Sequence, residues 1–187
     1  MDAVSIFPIA TEEYKSHEGR AQEFRQMIEP EGAEWWTYVC CRPNEAQPNF
    51  LLDQTPYHNR AIMWRVWKDR ETGFLYWAVN NYVIKDNRLT FDPIGTWYAY
   101  GDGALVFPGH LFGLDEPVAS VRLERWKEGQ EDYELLHMVE QKLGRETAEH
   151  TLAQVYRNPS DFTKDATQVE AFRLQLLHLL ETNRVEK

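Results

Sequence analysis

The chain has 187 residues, enough to bury one sizeable core, and a single domain is the expectation. Its formal net charge of −10 supplies no basic stripe to displace counterions from phosphates, which excludes nucleic acid and an anionic membrane surface as partners. A hydrophobic content of 43% with mixed charge belongs to a soluble globular chain, not to a disordered one.

No charged n-region, apolar h-region or cleavage site stands ahead of the first strand candidate, and no apolar run reaches membrane length. A soluble chain is expected, and its compartment is left open. The first strand reads AVSIFPI at 3–9. Residues 19–28 place Ala21, Phe24 and Ile28 at helical spacing before Pro30 and Gly32. A second strand is expected at 35–41 and a loop at 42–49. Thr55 and Pro56 then open a helix running to about Arg70. The third strand is expected at 74–80. Residues 81–117 form a long connection, which in a compact domain is functional or carries minor structure of its own. Helices follow at 120–143, at about 147–156, and at about 165–183, the last with Val169, Phe172, Leu176 and Leu180 on one face.

Strand, loop and helix in this order describe a parallel α/β protein, whose binding sites lie where strands end and loops begin. Alternation puts Val4, Ile6, Val39, Leu75 and Val79 on the faces that pack against helices. Ser5, Phe7, Trp36, Tyr38, Cys40, Tyr76, Ala78 and Asn80 fall on the opposite faces, aromatic and polar together. That second surface suits the inside of a barrel near its mouth.

The candidate site residues follow from this placement. Trp36, Tyr38, Tyr76 and Trp77 can wall a sugar pocket, because pyranose faces are apolar and their rims hydroxylated; the plainer role is core filling. Trp36, Tyr38 and Tyr76 are preferred because they share a face with Asn80. Arg42, Asn44, Asn49, Asn80 and Asn81 sit just past strand ends, where they either meet hydroxyl groups or shape turns. Asp102, between Gly101 and Gly103, is a hydroxyl acceptor or a turn residue. Arg122, Glu124, Glu131 and Asp132 punctuate a helix and are assigned to charge pairing along it. The neighbouring Cys40 and Cys41 would point to opposite faces of a strand, so a bridge between them would be strained, and both are expected to be small apolar fillers. No CxxC, HExxH, GxGxxG, Walker or GxSxG pattern occurs, so neither a metal nor a cofactor is expected.

Four phrases in order, WWTYVCCRPN, GFLYWAVNNY, GDGALVFPG and VRLERWKEGQEDYELL, resemble the C-terminal part of glycoside hydrolase family 123, a region also catalogued as domain of unknown function 4091. The resemblance covers residues 4–143. It implies a partial (β/α)8 TIM-type barrel: the last three βα units, with 120–143 as the last barrel helix, plus C-terminal helices. Residues 1–143 would be the barrel portion and 144–187 a helical extension packed on it.

Characterised members resembling this sequence are β-N-acetylgalactosaminidases that use the substrate's own acetamido oxygen as nucleophile, with a Glu as acid and a neighbouring Asp. In the family that Asp-Glu pair lies on an earlier strand, upstream of the residues present here. Asp115 and Glu116 are weak substitutes, since a carboxylate pair near a helix start commonly serves the helix dipole. The expected function is therefore part of an N-acetylhexosamine pocket without its catalytic pair. The alternative is a non-catalytic carbohydrate-binding or structural and interaction module. Three parallel strands cannot close a barrel, so beside the carbohydrate ligand the inner face calls for a homo-oligomer, ranked first, an upstream barrel fragment, or the 81–117 loop and C-terminal helix folding across it.

Overall fold

The computed structural model describes residues 6–10, 23, 25–27, 30, 32–43, 47–90 and 100–182. The expected positions Val4, Ser5 and Asn44 lie outside the described residues, as do much of the 19–28 helix and residues 91–99.

Three parallel strands, β1 (Ile6–Ala10), β2 (Glu34–Val39) and β3 (Gly73–Tyr76), lie side by side in chain order. The β2–β3 connection is a crossover through α1 (Pro56–Lys68), as parallel pairing requires. The protein is thus a mixed α/β fold with small sheets, and its strands form no closed barrel among the described residues.

The β2–β3 register corrects one part of the expected face assignment. Val39 pairs with Tyr76 and Tyr38 with Leu75. Registered partners in a sheet share a face, so Tyr76 joins Val39 on the helix side, while Leu75 joins Tyr38 on the other. Burial agrees: Trp35, Thr37 and Val39 are buried, and Leu75 and Val79 are exposed. The Tyr76 ring packs on Phe50 with centroids 4.7 Å apart. β3 also stops at Tyr76 instead of running to Asn80, because the chain turns at Trp77.

α1 is buried from His58 to Trp67, on every face, because it lies between the sheet and a second helical layer. It stops at Lys68, close to the expected end at about Arg70, and Arg70 itself turns into the left-handed region (φ 54°). Arg145 covers that end, donating to the carbonyls of Trp67 and Lys68 at 3.2 and 2.8 Å, with its guanidinium 3.6 Å from the Trp67 ring centroid.

The layer behind α1 comprises α2 (Val121–Leu143), α3 (Arg145–Leu152) and α4 (Ala166–Thr182). Ser120 caps α2, its Oγ accepting from the Leu123 N–H at 3.4 Å. Asp165 Oδ1 does the same for α4, accepting from Thr167 and Gln168. Gly129 lets α1 and α2 touch: a Cβ there would stand 2.5 Å from the Arg60 carbonyl oxygen. Beside it, fully buried Asp132 takes a bidentate pair from Arg60 at 2.6 and 2.8 Å and the Trp64 indole N–H at 2.8 Å. The expectation of charge pairing holds for Asp132, but the pair is interior rather than along a solvated face.

Two apolar clusters result. Trp64, Trp67, Leu136, Leu152, Phe172 and their neighbours fill the space among the helices. Val39, Phe50, Ile62, Val66 and Leu105 join the sheet to α1. The helix expected at 147–156 stops at Leu152, because Val155 and Tyr156 turn into the first cluster and start the hairpin β8 (Tyr156–Asn158) and β9 (Asp161–Phe162).

The long connection carries minor structure, as its length suggested. A hairpin of β4 (Val83–Lys85) and β5 (Arg88–Thr90) turns on Asp86 and Asn87, both at positive φ. β6 (Val106–Phe107) and β7 (Val118–Ala119) enclose a short 3-10 turn, Gly109–Phe112. No helix among the described residues is long and apolar enough to cross a membrane.

Candidate functional site

The C-terminal ends of β2 and β3 meet a returning loop. Asn80 bridges to Ala104, and the Leu105 and Val106 N–H groups both donate to the Val79 carbonyl. This brings the turn Gly101–Asp102–Gly103 back over the end of β3. Both glycines adopt positive φ, 79° and 73°, which the tight turn requires. Gly103 also has to be small, because a Cβ would lie 2.7 Å from the Trp77 ring.

Asp102 is the hub of this cluster. Its Oδ1 accepts from the Tyr76 hydroxyl and from the Trp77 indole N–H, each at 2.9 Å. The Gly103 N–H donates to the Tyr76 oxygen at 2.6 Å. Burial pushes the Asp102 carboxyl above the ordinary carboxylate range, while the Trp77 and Tyr76 hydrogen bonds pull it back. Burial, then the Asp102 charge, holds the Tyr76 phenol well above its usual range. Tyr38 is pushed up to about 12, first by burial and then by neighbouring Cys40, with Asp102 adding to it. Cys41 is pushed up to about 11 by burial and by Cys40. The electrostatics therefore favour neutral Tyr38 and Tyr76 phenols and a neutral Cys41 thiol near one acid. Such a group offers hydroxyl donors, a carboxylate acceptor and an indole face, with no activated nucleophile.

Arg122, which the sequence analysis assigned to the helix surface, holds this loop from below. It is 5% exposed and donates to the carbonyls of Phe50, Gly101 and Ala104, the second at 2.8 Å. Three loop segments therefore converge on one guanidinium. A buried arginine on a charged helix leaves no mark in the spacing of charges, so sequence reasoning missed it.

The other expected residues divide as follows. Tyr76 and Asp102 belong to the cluster, whereas Tyr38 lies on the other face of the sheet and feels Asp102 only through its charge. Trp36 lies on the Tyr38 face with its ring over Gly73, where a Cβ would be 2.3 Å from it, and its indole N–H reaches Glu34 at 2.8 Å. Asn49 is fully buried. Its Nδ2 donates to the Cys40 and Pro43 carbonyls at 2.9 and 2.7 Å, and its Oδ1 accepts from the Phe50 N–H. It shapes the β2 loop in the way its turn-forming role suggested. Asn80, Asn81 and Arg42 are exposed at the strand ends, and the Asn81 N–H donates to the Gly103 carbonyl at 2.7 Å. Asn44 is outside the described residues. Trp77, a less favoured pocket wall, sits at the centre, 45% of the residue exposed and its ring edge against Gly103.

Asp115 and Glu116 are both exposed, in the turn between Gly109–Phe112 and β7, and outside the Asp102 hydrogen bonds. They precede the α2 cap by several residues, so the first-turn acid of that helix is Glu124 instead. Among the described residues, no group of three or more His, Cys, Asp or Glu side chains is placed to hold a metal ion.

Comparison with known proteins bears on this geometry. The sequence profile described as glycoside hydrolase 123, catalytic domain, matches residues 2–139. Among solved structures, a family 123 glycoside hydrolase from Clostridium perfringens, described for glycolipid glycan hydrolysis, is similar with a TM-score of 0.61 at 14% identity. The match covers 95% of this chain and 32% of that one, and at this identity it is a likeness of fold. The search of curated protein sequences gave no match.

Proposed function

Because the chain belongs to the glycoside hydrolase 123 catalytic-domain family, we propose that it forms one wall of a carbohydrate pocket, with Asp102 and Trp77 as its central contacts. The observation that carries this is a half-exposed Trp77 at the strand ends, its indole N–H bonded to the largely buried Asp102 carboxylate, which the Tyr76 hydroxyl also holds. An indole face stacks on the apolar side of a pyranose, while a carboxylate oxygen accepts from ring hydroxyls. Tyr38, Arg42, Asn80 and Asn81 line the rim of the same strand ends. Arg122 and Asn49 position the loops.

The ligand class we assign is an N-acetylhexosamine, following the family resemblance. The chain binds this sugar without hydrolysing it, because Asp115 and Glu116 stand apart from the cluster, and Asp102 accepts from Tyr76 and Trp77 instead of presenting a proton to a leaving oxygen. The inner face with Trp36, Tyr38 and Leu75 is covered by a second copy of the chain or by a further barrel segment. Light scattering at micromolar concentration separates an associated form from a 22.1 kDa monomer.

Titration with N-acetylgalactosamine, followed by tryptophan fluorescence, tests the binding claim. A saturable change that weakens at least about tenfold in Asp102→Asn, equivalent to about 1.4 kcal/mol, is expected. No change in the native chain, or equal affinity in the variant, contradicts it.

A further inference from the structure

Cys40 and Cys41 break the expectation set by strand alternation. β2 ends at Val39, so both residues fall in a bend, not a strand. The bend is closed by the Cys40 N–H donating to the Arg42 carbonyl at 3.0 Å, and the Cys40 carbonyl is held by Asn49 at 2.9 Å. The two Sγ atoms consequently lie on one side of the chain, 3.8 Å apart, and both residues are half-buried rather than sealed in the core. Their surroundings belong to the Asp102 cluster: the Tyr38 hydroxyl is a hydrogen-bond neighbour of Cys40, and Cys41 feels the Asp102 charge.

We propose that Cys40 and Cys41 are a modification site, closing reversibly to a vicinal disulfide in the presence of a low-molecular-weight disulfide. One protein thiolate attacks a sulfur of the small disulfide, forming a mixed disulfide and expelling one thiolate, which takes up a proton. The neighbouring protein thiolate then attacks the protein sulfur of that mixed disulfide and expels the second small thiol. Two protein thiols lose two electrons and two protons, and the small disulfide gains both.

The ring is not a stability device. Adjacent residues enclose no loop, so closure removes almost no freedom from the unfolded chain. Consecutive Cα atoms stand about 3.8 Å apart, below the usual disulfide span. The closed pair therefore belongs with the labile, regulatory disulfides, not the structural ones. The high position of the Cys41 thiol slows the step in which Cys41 attacks and makes that step faster as pH rises. Closure takes the Cys40 S–H away from Tyr38 and puts an apolar ring at the end of β2. A consequence for ligand binding rests on the carbohydrate reading above, whereas the chemistry of the pair does not.

The test treats the purified chain with oxidised glutathione at several pH values, quenches with acid, then counts thiols in denaturant and measures intact mass. Expected are two thiols falling to none, a mass lower by two hydrogens, no retained glutathione, and closure faster by up to about tenfold per pH unit near neutrality. Cys40→Ser and Cys41→Ser should each stop at a mixed disulfide with one glutathione. Two persisting thiols, stable glutathione adducts on the native chain, or disulfide-linked dimers would each overturn the proposal. N-acetylgalactosamine titration of the two redox forms then reads the coupling. A severalfold difference in affinity is expected, and equal affinities overturn the coupling. Absence of binding in both forms counts against the carbohydrate reading while leaving the mass result to decide the ring.

Discussion

Replacing Arg122 with methionine should loosen the loop that carries Asp102. Methionine keeps most of the apolar stem but donates nothing to the Phe50, Gly101 and Ala104 carbonyls. A hydrogen bond from a charged donor contributes about 1.5–3 kcal/mol, so three amount to roughly 4.5–9 kcal/mol gross. Much of that is offset, because burial disfavours the guanidinium charge and its removal recovers that cost. A net loss of about 3 kcal/mol is expected, lowering Tm by roughly 6–12 °C for a chain of this size. Urea unfolding followed by tryptophan fluorescence measures it, with Arg122→Lys restoring part of the loss through its shorter ammonium. A loss below about 1 kcal/mol in Arg122→Met would refute the view that this side chain ties the three loops together.

Three further outcomes are expected. Glu71 is buried beside Arg65 (3.8 Å) and Thr37, and burial pushes it up to about 7 from its ordinary 4.5. The fold holds its proton more tightly than the unfolded chain, so its contribution is full below pH 4.5 and lost as pH rises through about 7. Native stability relative to Glu71→Gln should therefore fall across that window, and a difference that is flat or rises with pH contradicts the assignment. Gly129→Ala should cost about 1–3 kcal/mol in denaturant unfolding, since the new methyl meets the Arg60 carbonyl; a neutral result would mean that α1 and α2 separate freely. The purified chain should show no turnover of a chromogenic N-acetylgalactosaminide, and activity that vanished in Glu116→Gln would transfer the catalytic role to the Asp115–Glu116 pair.

The elements were largely legible because their signals are local. Pro56 and Ser120 mark helix starts, Gly144 ends α2, and the spacing of Val169, Phe172 and Leu176 gives α4 its buried stripe. Register was not legible. Alternation within β3 is symmetric between its two faces, and only pairing with β2 decides that Tyr76 goes to the helix side. The placement of the adjacent cysteines was not legible for a related reason: β2 ends at Val39, so strand alternation does not apply to them. For the candidate site, the GDG turn stands out by its composition, and Tyr76 and Asp102 meet, while Tyr38 lies on the opposite face of the sheet. Alternation sets Trp77 on the face opposite Asn80, yet the chain turns at that residue. Arg122 depends on three carbonyls far apart in sequence, a long-range coincidence that no spacing rule encodes.

The central claim is that a sugar sits against Trp77 and Asp102, and a crystal of the chain soaked in N-acetylgalactosamine tests it most directly. The account predicts a pyranose ring lying on the Trp77 indole, with a hydroxyl within hydrogen-bond distance of the Asp102 carboxylate. A sugar bound elsewhere, such as in the open groove of Leu135, Met138 and Leu177 between α2 and α4, with the Asp102 cluster empty, would contradict it.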